Sequence, residues 1–138
     1  MNILVLEDDP DLRFALAEVL EAGGHTVHGA GNISQACETL ENVAPDLLLL
    51  DLMIGSVDTI QVADLAGYRV PDADVIYLTG SNKYPNGELF ELSSNASWVL
   101  RKPIDFRALM AMVDHVQATH LASEQALATT SWRALSRA

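Results

Sequence analysis

The sequence predicts an α/β protein built on a parallel sheet. Apolar runs of strand length alternate with helix-periodic segments along the 138 residues, a pattern typical of strand–helix–strand units with right-handed crossovers. Leu47–Leu50 is a run of four leucines, as in a strand buried on both faces of a sheet. Five such units predict a doubly wound, five-stranded parallel sheet in the flavodoxin-like order 2-1-3-4-5, with helices on both faces.

The first unit begins with an apolar strand at residues 2–6. Asp9 is the predicted N-cap of the following helix, with Pro10 at the first helical position. The glycine pair at residues 23–24 ends that helix. A weaker strand signal follows at residues 26–28.

The second helix and the third strand lead to an acidic residue. Asn32 and Gln35 have the spacing of a capping box, and they predict a helix that ends near Val43. The leucine strand then delivers Asp51 where its apolar run ends. A carboxylate is costly there unless it lies at the carboxyl end of the strand and faces a crevice.

The second half of the chain repeats the alternation with weaker helices. A helix is predicted at residues 58–66, followed by an apolar strand at 73–79. Residues 81–97 are rich in polar and turn-forming residues, and only 88–92 could form a short helix there. The last strand, at 98–100, directly precedes Arg101 and Lys102.

The last helix is predicted to begin after Asp105 as its cap, with five apolar residues on one face: Phe106, Leu109, Met110, Val113 and Val116. We expect one domain over residues 1–118. Residues 119–138 either continue this helix or form an amphipathic segment that packs on the domain or on a partner. The apolar content of this region is compatible with a homodimer.

Composition excludes several classes of protein. The net charge of −11 and a pI near 4.5 argue against a nucleic-acid surface. The longest apolar run falls short of the roughly 20 residues that span a bilayer, and we see no signal peptide at the N-terminus. The single cysteine, Cys37, fits a reducing compartment. We therefore expect a cytoplasmic protein with no membrane contact.

Polar groups follow four of the five predicted strands. Glu7 and Asp8 follow the first, Asp51 ends the third, Thr79 ends the fourth and Lys102 follows the fifth. In the predicted order these strand ends share one crevice. Three carboxylates that close together repel, so they favour a hard cation such as Mg²⁺. With the hydroxyl and the ammonium beside them, they suit phosphoryl transfer to Asp51.

These segments resemble the receiver domain of two-component response regulators. The matching stretches are ILVLEDDPDLR at 3–13, DLLLLDLM at 46–53, VIYLTGS at 75–81 and LRKPID at 100–105. Together they extend the resemblance over residues 2–117, in the family's order and spacing. A set of four motifs is far more specific than any one of them alone.

The resemblance implies a role for each residue at the strand ends. Those roles are Asp51 as phosphoacceptor, Glu7, Asp8 and the Met53 backbone carbonyl as further Mg²⁺ ligands, Thr79 as the switch hydroxyl, and Lys102 as the family's lysine before a cis proline. It also implies a phosphoacceptor switch rather than an enzyme, although one that assists its own phosphorylation and dephosphorylation. A histidine kinase or a histidine phosphotransfer protein would supply the phosphoryl group, and a downstream protein would read the state.

The chain departs from the family pattern near the site. The segment from Met53 to Thr59 lacks the usual proline and final glycine, and Gly80 stands where alanine is commoner. Val99 occupies the position where the family has a switch aromatic, and Trp98 should point to the other face of its strand. These changes leave the phosphorylation groups in place, but they call into question the aromatic rotation that signals phosphorylation.

Two other functions remain open at the level of sequence. The chain is too short for a DNA-binding output domain, so we expect a stand-alone response regulator. A pseudo-receiver, which is never phosphorylated and acts as a constitutive interaction module, would have the same fold. A phosphatase that uses Asp51 as nucleophile would want a second acid two residues later, and that position is Met53.

Overall fold

A computed structural model of the chain describes residues 1–80 and 87–136, with side chains described up to residue 129. The elements, in chain order, are β1 (Asn2–Leu6), α1 (Pro10–Ala22), β2 (Thr26–Ala30), α2 (Ile33–Asn42), β3 (Leu47–Asp51), β4 (Met53–Ile54), β5 (Val57–Asp58), α3 (Ile60–Arg69), β6 (Asp74–Thr79), α4 (Glu88–Leu92), β7 (Ala96–Arg101) and α5 (Phe106–Ser136). Met1–Phe106 forms one compact unit and Arg107–Ala138 a second.

The main sheet has five parallel strands in the order β2-β1-β3-β6-β7. Strands β4 and β5 form a separate antiparallel pair, so this is the predicted 2-1-3-4-5 order with the last two strands renumbered. The fold-class prediction is therefore confirmed. Leu6 is paired with Leu50, and Asp51 with Leu78, which brings the carboxyl ends of β1, β3 and β6 to the same edge.

The sheet interior alternates between its two faces as the strand period requires. Leu4, Leu6, Leu48 and Leu50 belong to one core cluster, which also contains buried residues of α2 and α3. Ile3, Val5 and Leu49 are equally buried but lie outside that cluster. The intervening positions therefore face the opposite side of the sheet.

The caps of the first two helices follow the sequence closely. Asp9 accepts a hydrogen bond from the Asp11 N–H at 3.0 Å, and Asn32 accepts one from the Gln35 N–H at 2.8 Å. The Gln35 side chain, however, accepts from the Gly31 N–H and not from the N-cap residue itself. In this capping box, the side chain of Gln35 therefore bonds the N–H of the residue before the N-cap.

The region after Asp51 differs from the prediction. The helix predicted at 58–66 is α3, which begins at Ile60 and ends at Arg69. Asp58 belongs instead to the two-residue strand β5, which pairs with β4 across a turn containing Gly55 at φ +62°. Two-residue strands carry too few positions for a period-2 pattern, so the sequence did not predict them.

The other elements up to β7 agree with the sequence within two residues at each end. Helix α4 occupies Glu88–Leu92 as expected, and the prediction for residues 81–86 lies outside the described residues. The last helix is a continuous helix to Ser136, with Leu109, Val113 and Val116 buried. Among the described residues, no helix is long and apolar enough to cross a membrane. The boundary near residue 118 stays a prediction.

Candidate functional site

Three carboxylates meet at the carboxyl edge of the main sheet. Glu7 and Asp8 follow β1 and Asp51 is the last residue of β3. One carboxylate oxygen from each lies within 4.8 Å of the others. Glu7 and Asp51 are buried, whereas Asp8 is exposed. The cluster therefore consists of two buried carboxylates and one carboxylate that is open to solvent.

Lys102 joins the two buried acids. Its Nζ donates to Glu7 Oε1 at 2.6 Å and to Asp51 Oδ2 at 3.1 Å. The Lys102 N–H also donates to the Thr79 carbonyl at 2.8 Å, which anchors the residue to the end of β6. The next peptide bond, Lys102–Pro103, is cis, as the resemblance to the receiver family implies. A long side chain thus crosses from the β6–β7 side of the sheet to β3 and β1.

Burial and hydrogen bonding together set the pKa values of Glu7 and Lys102. Burial raises the pKa of Glu7 to about 7, with a further rise from its hydrogen bond to Asp51, while Lys102 works in the opposite direction. Burial by itself would lower the pKa of Lys102, but the hydrogen bonds to Glu7 and Asp51 outweigh it and raise that pKa. The ammonium therefore stays charged beside the two acids.

The backbone around Asp51 is held by its neighbours in the chain. The Met53 N–H donates to Asp51 Oδ1 at 3.4 Å. The buried Thr59 hydroxyl donates to the Asp51 carbonyl at 2.7 Å, so this N-cap residue has no side-chain bond to its own helix. Thr59 could not be recognised from the sequence as part of the site, because a threonine before a helix is ordinarily a cap.

Thr79 lies at the same edge but faces a cavity. Because Asp51 pairs with Leu78, Thr79 extends one residue beyond that pair. It is buried, and with Leu52, Leu89, Phe90, Val99 and Arg101 it lines a cavity of about 200 Å³. Among the described lining residues, the aromatic side chain is that of Phe90 in α4, which is 47% exposed.

The donor set of the cluster fits Mg²⁺. Carboxylate oxygens are the ligands that hard divalent cations prefer. With all three acids ionised, the formal charge of Glu7, Asp8, Asp51 and Lys102 sums to −2, which one divalent cation balances. The residues present can therefore hold the metal that the site would need.

Comparison with known proteins identifies the family. A model of the response regulator receiver domain matches residues 3–114. The chain is 31% identical over 113 residues to the response regulator receiver protein CpdR of Brucella abortus, covering 82% of this chain and 93% of CpdR. It is 35% identical over 116 residues to the DNA-binding response regulator MtrA of Mycolicibacterium smegmatis, covering 81% of this chain and 48% of MtrA.

Solved structures agree with this result. The response regulator TrrA of Thermotoga maritima, solved in complex with Mg(2+)-BeF, superimposes with a TM-score of 0.72 at 27% identity, covering 83% of this chain and 97% of TrrA. A Francisella receiver domain superimposes with a TM-score of 0.74 at 20% identity, covering 86% and 98%, and shows the fold alone. The chain belongs to the response regulator receiver family of two-component signalling.

Proposed function

We propose that the chain is a single-domain response regulator whose phosphoacceptor is Asp51. An Asp51 carboxylate oxygen would attack the phosphorus of a phosphohistidine on a sensor kinase or a phosphotransfer protein. The nitrogen–phosphorus bond breaks, the histidine nitrogen keeps the electron pair, and an aspartyl phosphate forms. The observation that best supports this proposal is that Lys102 contacts both Asp51 and Glu7 within a cluster of three carboxylates.

Each residue of the cluster has a part in this proposal. Glu7, Asp8, Asp51 and the Met53 carbonyl would hold Mg²⁺, which when bound neutralises the phosphoryl oxygens and the acids. The Lys102 ammonium would form an ion pair with one phosphoryl oxygen, and the Thr79 hydroxyl would donate a hydrogen bond to another. The Mg²⁺ and BeF in the TrrA structure support the choice of metal.

The downstream effect would be a change in protein contacts. Phosphorylation adds about one negative charge at the sheet edge, next to Thr79. The adjacent helix α4 has only five residues and no side-chain cap, so little holds it in one arrangement. A protein partner that binds near α4 would then distinguish the two states. We place this exchange in the cytoplasm, where histidine kinases carry their phosphohistidine and a lone cysteine stays reduced.

The test is incubation with acetyl phosphate and Mg²⁺, followed by intact-mass measurement. We expect the mass of one phosphoryl group on the wild type, and its loss in alkali or when EDTA is present from the start. Asp51→Asn is the matched control because it keeps the size of the side chain and removes the nucleophile. A wild type that gains no phosphoryl group from acetyl phosphate or from a phosphohistidine donor would favour a constitutive interaction module.

A further inference from the structure

Arg13 reaches from α1 to the turn that carries the acidic pair. Its Nη1 donates to the Glu7 carbonyl oxygen at 2.7 Å. This carbonyl and the Asp8 N–H belong to the same peptide group. The Asp8 N–H in turn donates to Glu7 Oε2 at 3.1 Å. The peptide between the two acids is therefore held at both edges, once by Arg13 and once by Glu7 itself.

Glu7 is fully buried, so water cannot replace the hydrogen bond that Arg13 donates to its carbonyl. Its N–H donates to the Ala30 carbonyl at 3.1 Å, and its two carboxylate oxygens accept from Lys102 and the Asp8 N–H. Arg13 supplies the hydrogen bond to the remaining polar group, the carbonyl. A buried carbonyl that loses its partner tends to turn toward water or another donor. Such a rotation would move the peptide plane that directs both acids.

Gly31 makes room for the Arg13 side chain, and Gly29 offers a control. A Cβ placed at Gly31 would lie 2.9 Å from Arg13 Nη1, closer than carbon and nitrogen can approach. A Cβ at Gly29 would lie 3.5 Å from Arg13 Cδ, an ordinary contact. Gly31, the residue directly after β2, therefore leaves the guanidinium room to reach the Glu7 carbonyl. An alanine at 31 would displace the guanidinium from the Glu7 carbonyl.

We propose that Arg13 is a positioning residue for the metal site, and that Gly31 keeps its path open. Arg13 fixes the Glu7–Asp8 peptide so that both carboxylates point at the place where Mg²⁺ would bind. The inference rests on the proposed function, because it assumes that these acids bind Mg²⁺. In other proteins, substitution of a residue that hydrogen-bonds to a metal ligand and orients it lowers metal affinity by 10- to 100-fold.

The test is calorimetric titration of the full chain with Mg²⁺. We expect Arg13→Met to weaken Mg²⁺ binding roughly tenfold. Arg13→Lys, which keeps a donor on a long side chain, should restore part of the affinity. Gly31→Ala should weaken binding, whereas Gly29→Ala should bind Mg²⁺ like the wild type. In the Arg13→Met background, Gly31→Ala should have no further effect, because the side chain that it displaces has lost its donor.

Two further measurements separate positioning from a general loss of stability. Leu16→Val loosens the same helix from a buried position and should lower the thermal midpoint without changing Mg²⁺ affinity. With acetyl phosphate, Arg13→Met should need more Mg²⁺ for half-maximal phosphorylation yet approach the wild-type rate at saturation.

The outcomes distinguish the inference from the proposed function. A wild type that binds Mg²⁺, with Arg13→Met and Gly31→Ala binding it equally well, would overturn the role of Arg13 and leave the phosphorylation of Asp51 intact. Equal losses of affinity in Gly29→Ala and Gly31→Ala would also overturn it. A wild type that binds no Mg²⁺ would count against both.

Discussion

At the residue scale, the site depends on buried polar groups that are hydrogen-bonded to neighbouring residues. Glu7 alone has its backbone N–H, its carbonyl and both carboxylate oxygens engaged, by four different residues. Such arrangements are sensitive, because removing one partner leaves the other buried and unpaired. The effect of a substitution here should therefore exceed that of the same substitution on the surface.

Substitution of Lys102 should separate metal binding from phosphoryl transfer. The Lys102 ammonium occupies oxygens of Glu7 and Asp51 that a metal would share, and its charge opposes a second cation. We expect Lys102→Met to bind Mg²⁺ about three- to tenfold more tightly and to accept the phosphoryl group at least roughly tenfold more slowly. Calorimetry and the rate of labelling by acetyl phosphate measure the two effects. Weaker Mg²⁺ binding would show that the lysine supports the metal site and does not compete with it.

Thr59 offers a test of how firmly the end of β3 is held. Thr59→Val keeps the shape but removes the hydroxyl that donates to the Asp51 carbonyl. We expect the free energy of unfolding in urea to fall by about 1–3 kcal/mol. Thr39→Val is the matched control, since its hydroxyl donates to the Gln35 carbonyl at an exposed site and its loss should cost under about 0.5 kcal/mol. Equal effects would mean that the Asp51 carbonyl does not need this partner.

Much of the site geometry follows from strand ends and could be predicted at this scale. Asp51 and Lys102 come together because apolar runs fix where each strand stops, and the sheet order fixes which ends are neighbours. Arg13 and Thr59 were missed for the opposite reason. Each sits on a helix or at its start, where its sequence position predicts an ordinary helical or capping role. Their bonds to the site depend on tertiary contacts that no periodic pattern encodes.

At the scale of elements, the sequence predicts best the strands that are buried on both faces of the sheet. Strands β1, β3 and β6 are continuous apolar runs, and their agreement with the structure reflects burial on both faces. The sequence did not predict the hairpin of β4 and β5 or the start of α3 at Ile60. The sequence predicts a helix that begins at Asp58, but Asp58 pairs with Met53, and its side chain accepts a hydrogen bond from the Ile60 N–H at 3.1 Å.

A buried hydrogen bond joins β6 to Ser93, the residue that follows α4. The Tyr77 hydroxyl and Ser93 Oγ are 2.8 Å apart, and both residues are buried. We expect Tyr77→Phe to lower the free energy of unfolding by about 0.5–1.5 kcal/mol. Amide exchange in residues 88–93 should also speed up, because the residue that ends α4 loses an anchor.

Tyr68→Phe provides the control for this effect. Tyr68 is 86% exposed, so the loss of its hydroxyl should leave both stability and exchange unchanged. If Tyr77→Phe exchanges like the wild type throughout α4, the hydrogen bond does not hold that helix. Its position relative to the sheet would then depend on Leu89, the one core-cluster residue in α4.

At the scale of the whole molecule, the chain combines a receiver with a long terminal helix. The family match ends at residue 114, whereas α5 continues to Ser136. Residues 121–129 are all exposed, including Leu121 and Leu127. The sequence left open whether this segment continues the helix or forms an amphipathic segment that packs on the domain or on a partner. The helix is continuous to Ser136, because helical spacing persists without a proline or glycine to stop it, and packing on a partner stays a prediction.

The exposed segment should be dispensable for phosphorylation. A chain ending at residue 118 keeps Leu109, Val113 and Val116, the buried residues among those described in Arg107–Ala138. We expect its thermal midpoint and its rate of labelling by acetyl phosphate to match those of the full chain. A chain ending at residue 108 removes all three and should unfold at a clearly lower temperature. A shorter chain that folds but fails to accept phosphate would assign residues 119–138 to the receiver itself.

The most direct measurement of the central claim is chemical identification of the phosphorylated residue. The full chain is labelled with acetyl phosphate and Mg²⁺, reduced with borohydride, which converts an aspartyl phosphate to homoserine, and mapped by peptide mass spectrometry. We predict homoserine at position 51, formed only when Mg²⁺ is present during labelling. Homoserine at Asp8 or at another acid, or a phosphate that survives reduction on a different type of residue, would contradict the account.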